Sequence, residues 1–191
     1  MNPVKNINLF KKINTLIWFL KKYNLLKLII FSLKKNIHSY SGRYGIISAG
    51  GVATTNLIHY VGKYRKINRH DNFDNFKHLN YIPKNKKILY LYHLNFDLVI
   101  KSLRRRHFYY VNAANLGATL SILFFFNHKI SNFFFRKKLK KHILLHLNSE
   151  NSLCLKYENI WSEKEKIMNF FKIKNKKKFI KYFFKKRKRN L

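Results

Sequence analysis

Residues 44–59 read YGIISAGGVATTNLIH, and this stretch decides the fold. Tyr44 to Ser48 has the length and apolar character of a buried strand, Gly50 to Thr55 reads as a turn, and Thr55 to Tyr64 as a helix ending near Gly62. Strand, glycine-rich turn and helix amino terminus in that order make an anion site. The first backbone N–H groups of a helix have no partner within it, and the aligned peptide dipoles favour negative charge there. The nucleotide-binding pattern G-x-x-x-x-G-K-[ST] is broken, however: Gly45 and Gly50 keep the spacing, but Gly51 stands where the lysine belongs. ATPase or kinase chemistry, which needs that lysine and a magnesium-binding acid, is therefore disfavoured.

Working outward, INRHDNFDNFKHLNYIPKNK is polar and turn-rich, and KKILYLYH is a second apolar strand. FDLVIKSLRRRHF continues as a helix that Asn95 can cap. The span from Leu116 to Leu147 alternates apolar clusters with lysine runs and reads as two helices. SLCLKY is a third strand, and ENIWSEKEKIMNFFKI carries Ile160, Ile167, Phe170 and Phe171 at positions that suit a packed helix. Strands alternating with helices predict an α/β fold, a three-layer sandwich around a short parallel sheet. The 191 residues and 47% hydrophobic content suit a single domain, residues 1–191. It comprises basic amphipathic helices over 1–40, a core over 41–173 and a basic tail over 174–191, read as a helix or a frayed end.

Composition narrows the partners. The chain has 41 Lys+Arg against 7 Asp+Glu, a formal charge of +34, which points to nucleic acid or an anionic membrane. Abundant Asn, Ile, Phe and Tyr share A/T-rich codons with Lys, so part of this basicity reflects genome composition. Cys154 stands alone, allowing no internal disulfide and fitting a reducing compartment. No Cys/His set has zinc-like spacing, so no metal is expected. The apolar runs Leu16 to Leu20 and Leu25 to Leu33 are broken by Lys21, Lys22 and Lys27, short of a membrane span and without a cleavage site. A cytoplasmic protein is expected. Residues 5–35 pack on the domain or rest peripherally on anionic lipid through a basic face and a Trp/Phe/Leu face.

Three segments together resemble the P-loop sulfotransferases. GGVATTNL at 50–57 resembles the loop that grips the 5'-phosphosulfate of PAPS (3'-phosphoadenosine 5'-phosphosulfate) without magnesium. Many members carry a lysine at the position of Gly51 and a glycine at that of Ala53, and a divergent branch with a double glycine and valine is closer. The resemblance implies a sulfotransferase-type P-loop fold, with Gly50, Gly51, Val52, Ala53, Thr54 and Thr55 around the 5'-phosphate and the two threonines donating hydroxyl and N–H bonds. KKILYLYHLNFDLVIKSLRRRHF at 86–108 looks like the second signature, an Arg-rich turn and a helix serine that bind the 3'-phosphate. Ser102 matches the serine. His93 stands near the family's arginine, which leaves His93, Arg104 or Arg105 for that phosphate. SLCLKYENIWSEKEKIMNFFKI at 152–173 resembles the late strand and helix, where Tyr157 and Glu158 match and are chiefly structural.

The implied activity is PAPS-dependent transfer of a sulfuryl group to a hydroxyl or amine of a carbohydrate, lipid or small metabolite. Such transfer needs a base for the acceptor and positive charge on the oxygens. The polar segment holds Arg69, His70, Asp71, Asp74, Lys77 and His78. His78 or His70 is the expected base, with Lys63 or Lys77 as electrostatic partner. The alternatives are a nucleic-acid-binding protein and a membrane-surface protein that keeps the fold without catalysis.

Overall fold

A computed structural model describes residues 38–50, 52–70, 76–118 and 127–184. The expected helices of residues 5–35, the apolar run 119–126 and the end of the tail, 185–191, lie outside the described residues. Three strands form one parallel sheet in the order β1 (Tyr44–Ser48), β2 (Lys87–Tyr92), β3 (Ser152–Lys156). Tyr44 pairs with Lys87, and Ile88 with Ser152. The helices are α1 (Thr54–Val61), α2 (Phe96–Arg105), α3 (Tyr109–Asn115), α4 (His128–Leu147), α5 (Lys164–Phe170) and α6 (Lys176–Lys181).

Side chains that alternate along β1 and β2 fill both faces of the sheet, as the pleat requires. Ile46, Leu89 and Leu91 pack on one side with Leu57, Ile58 and Val61 of α1 and with Ile167, Met168 and Phe171 of the α5 region. Ile47, Ile88 and Tyr90 face the other side, against Tyr40, Phe76, Leu79 and Ile143 of α4. Residues of α2, α3 and α4, among them Val99, Leu103, Tyr109 and Phe135, form an adjoining cluster. The α/β alternation read from the sequence is thus present, and helices cover both faces of a three-stranded parallel sheet.

The outer edge of β1 needs partners for its backbone groups, because a buried unpaired N–H or C=O costs as much as a lost hydrogen bond. The side chain of Asn68, almost fully buried, supplies them: its Oδ1 accepts from Ile46 N–H at 2.7 Å and its Nδ2 donates to Ile46 O at 3.1 Å. A little further along, Ser48 N–H donates to Lys77 O at 3.0 Å. The polar segment after α1 therefore closes the sheet as a missing strand would.

The expected basic tail is, through Phe184, part of the core. Phe179 is fully buried and Phe183 nearly so, Tyr60 donates to Phe179 O, and Trp161 Nε1 donates to Phe184 O at 2.9 Å. Asn175 caps α6 by accepting from Lys178 N–H. The helical alternative for this tail is the one found, and α6 turns Phe179 inward while its ammonium groups stay in water.

Behind β2, two histidines of α4 enclose Tyr90. His142 Nε2 meets Leu79 O at 2.7 Å, so it is the protonated nitrogen, and Nδ1 accepts from Tyr90 OH at 2.9 Å. His146 stacks on the Tyr90 ring with centroids 4.1 Å apart and bonds Ser152 Oγ through Nδ1 at 3.0 Å. Burial pushes His142 down to about 4 and His146 down to about 3, the latter helped by His142. Both lie below the unfolded value of about 6.5, so in the interval between the unfolded chain binds more protons. Stability is full above about pH 6.5 and falls as pH drops, by about 1.4 kcal/mol per pH unit for each histidine. Denaturant unfolding from about pH 7 to about pH 4.5 is expected to show this loss, and His146→Phe, which keeps a stacked ring that cannot charge, should flatten the slope. An unchanged slope in that variant would exclude the assignment.

Candidate anion site at the carboxyl end of the sheet

The loop after β1 is shaped by Ser48, which is fully buried. Gly50 N–H donates to Ser48 Oγ at 3.1 Å, Ser48 Oγ lies 2.6 Å from Thr54 Oγ1, and Thr54 Oγ1 donates to Val52 O at 3.3 Å. Because Thr54 spends its proton on Val52, the Ser48 hydroxyl is the donor of the shared bond. The relay runs in one direction from Gly50 to Val52. Ala53 then takes a left-handed conformation at φ 43° and leads into α1 without a side-chain cap. The amino terminus of α1 is therefore left to its own backbone donors, with no carboxylate in its first turn.

The segment that closes β1 also delivers charge to this loop. Lys77 Nζ lies 2.6 Å from Thr55 Oγ1 and 3.0 Å from His70 O. Beside it, His78 Nδ1 meets Ser48 O at 2.7 Å; that nitrogen carries the proton, and Nε2 keeps the lone pair. Enclosure of the His78 ring pushes it down to about 4, opposed by the Ser48 bond and reinforced by Lys77, His142 and Arg106. His78 is accordingly neutral at neutral pH.

Several expected residues stand elsewhere or act differently. Thr54 braces the loop from within, its hydroxyl donated to Val52 O, whereas Thr55 is exposed. Lys63 follows the last turn of α1, roughly 12 Å of helix away from Thr54. His70 is exposed and its ring meets His59 at 5.4 Å. His93 accepts from Asn95 N–H at Nδ1 and joins Glu158 through Nε2 at 3.0 Å, stacked on Tyr157. It thereby ties the end of β2 to the turn after β3, the structural role expected for Tyr157 and Glu158. Arg104 turns to α4, bonding Asn132 at 2.9 Å and lying over the Tyr109 ring, while Arg105 is exposed. Gly51, Asp71 and Asp74 lie outside the described residues.

Two residues were not singled out from the sequence. Arg106, the third arginine of the run, donates from Nη2 to Ser102 Oγ at 3.2 Å and lies close enough to His78 to lower its pKa. Its position four residues after Ser102 was the available signal, since such spacing brings side chains together on a helix. Asn112 of α3 is buried, with Nδ2 on Phe108 O and an Oδ1 that has no hydrogen-bond partner among the described residues. As one of two asparagines in the helix YYVNAAN, it carried little signal in the sequence. Beside the loop, Ala49, Gly50, Val52, His93, Phe96 and Val99 line a narrow crevice of about 10 Å³ that opens to solvent.

Gly50 is required for two reasons. Its φ is +95°, which residues with a Cβ rarely adopt, and a Cβ there would lie 2.5 Å from Asn112 Oδ1. Gly50→Ala is expected to destabilise the fold by about 1–3 kcal/mol in denaturant unfolding. Adding Asn112→Ala should recover the part due to the clash and leave the part due to backbone strain. Full additivity of the two substitutions would refute this contact.

No protein-family profile, curated protein or solved structure matches the chain.

Proposed function

We propose that the chain is a PAPS-dependent sulfotransferase with the P-loop fold, and that the loop at 50–55 holds the 5'-phosphosulfate. The observation that carries this reading is Lys77 Nζ at 2.6 Å from Thr55 Oγ1. The sequence lacks the loop lysine, and a cation reaches the amino end of α1 from the segment that closes β1. The donors present suit a tetrahedral anion: helix N–H groups, the Thr55 hydroxyl and an ammonium. Thr55 Oγ1 accepts from Lys77, so its own proton is left to donate. The neighbouring space is smaller than the ~300–1,000 Å³ of ordinary ligand clefts. It has room for about one water, so a bound nucleotide would lie along the surface. Ser102, at the end of α2, keeps its expected place at the 3'-phosphate, with Arg106 as its basic partner in place of His93, Arg104 or Arg105.

PAPS, when bound, supplies the activated sulfuryl group. Lys77 and the helix terminus stabilise negative charge on its oxygens, and His78 Nε2, held in its tautomer by Ser48 O, receives the acceptor proton. A base held at about 4 is weak but wholly unprotonated at neutral pH, so acceptor chemistry should persist to about pH 5. The anion site at the carboxyl end of a parallel sheet is where this architecture places ligands. Within the described residues no helix is long and apolar enough to cross a membrane.

Calorimetric titration with adenosine 3',5'-bisphosphate, with ATP and adenosine 5'-phosphate as controls at two salt concentrations, tests the reading. Saturable binding that exceeds ATP is expected, and Lys77→Ala should weaken it about ten- to a hundredfold, the worth of a charge-assisted bond to phosphate. Equal binding of all three nucleotides, abolished by salt, would instead mark a polyanion surface of the nucleic-acid-binding kind.

A further inference from the structure

α4 carries apolar side chains on both faces. Its inward face buries Phe135, Leu139 and Ile143 beside Ser131, His142 and His146. Its outward face exposes large apolar side chains: Phe133 is 63% exposed, Leu144 47%, Leu145 40% and Leu147 50%. Of the seven large hydrophobic residues exposed among the described residues, four are on this one helix, so the exposure is concentrated rather than scattered. At 100° per residue, Phe133, Lys137, Lys140, Leu144 and Leu147 fall within about 40° of one line along the helix. Arg136 and Lys141 flank that line, and Arg136 is held by Asp97. The stripe is therefore apolar at both ends, basic in the middle and basic along its borders.

Charge decides what such a stripe fits. A second copy of the chain laid face to face would bring two sets of four cations together. Residues 5–35, rich in lysine pairs, would do much the same. A phosphodiester backbone would take the lysines but leave Phe133, Leu144 and Leu147 in water. An anionic bilayer satisfies both sets. Lysines flanked by apolar residues lay their methylene stems along the apolar surface and raise their ammonium groups to the headgroups.

We infer that the outward face of α4 docks on anionic lipid, with the helix axis in the plane of the interface and Phe133, Leu144 and Leu147 inserted below the headgroups. This goes beyond the nucleotide reading and does not rest on it, because no residue of the loop takes part.

The experiment uses the full chain in a Cys154→Ser background, with Leu144→Cys labelled by an environment-sensitive fluorophore. A second protein carries the label at Glu165→Cys on α5, across the sheet. Each is mixed with vesicles of phosphatidylcholine alone or with added phosphatidylserine. The expected result is a blue shift at position 144 on the anionic vesicles only, with no change at 165. Adding Phe133→Ser and Leu147→Ser should weaken the partition about tenfold. Three results would overturn the proposal. In one, position 144 is unchanged while the chain sediments with anionic vesicles, showing that another surface binds. In the next, the shift appears with protein concentration in the absence of lipid, showing self-association. In the last, it appears on a nucleic-acid oligomer but not on vesicles.

Discussion

Ser48 spends every polar group it has on joining three pieces of chain. Its N–H donates to Lys77 O, its carbonyl accepts from His78, and its hydroxyl takes the Gly50 N–H and passes a proton to Thr54. A buried hydroxyl or amide must find such partners or lose several times what a bond contributes. The end of β1, the loop and the segment that carries Lys77 and His78 are consequently fixed relative to one another by a single residue. The geometry of the anion site follows from that constraint more than from the loop alone.

The same constraint explains how a loop without its lysine keeps a cation. In a loop lysine, charge and backbone share one turn. Here the charge rides on a segment that the sheet already needs, because the outer edge of β1 has to be covered by something with a backbone or an amide. Asn68 and the 77–78 pair perform that covering and place an ammonium over Thr55 at no further cost in ordered chain. Structural closure and electrostatics are met by one stretch of roughly ten residues.

What could be read in the sequence follows the same division. β1, β2 and the turn at Gly50 were legible because runs such as GIIS and ILYLY are continuously apolar and the glycines punctuate them. The cap at Asn95 was legible because its partner, Leu98 N–H, is three residues away. Asn68, Thr54 and Arg106 were not, since their meaning lies in partners set by tertiary packing: a strand edge, a neighbouring hydroxyl, a histidine from another segment. Thr54 and Thr55 look equivalent in the sequence, and only the direction of the Ser48 relay separates the buried brace from the exposed hydroxyl. The span 116–147 was legible as helical, but the leucines and histidines mixed along α4 do not say which set faces the sheet. The burial of Phe179 in α6 and of Phe183 after it was hidden by the lysines around them.

The Asn68 clasp bears on the order in which the chain assembles. Ile46 and Asn68 are 22 residues apart and Ser48 and His78 are 30 apart, whereas β2 reaches β3 only between Ile88 and Ser152. Loop closure grows costlier with the length of chain enclosed, and near contacts form sooner than distant ones. β1, its clasp and the anion loop thus make a short-range unit that gathers before the third strand arrives. The bonds that shape this corner are all made within residues 46–78, and the carboxyl third of the chain adds only the apolar side chains packed beneath it.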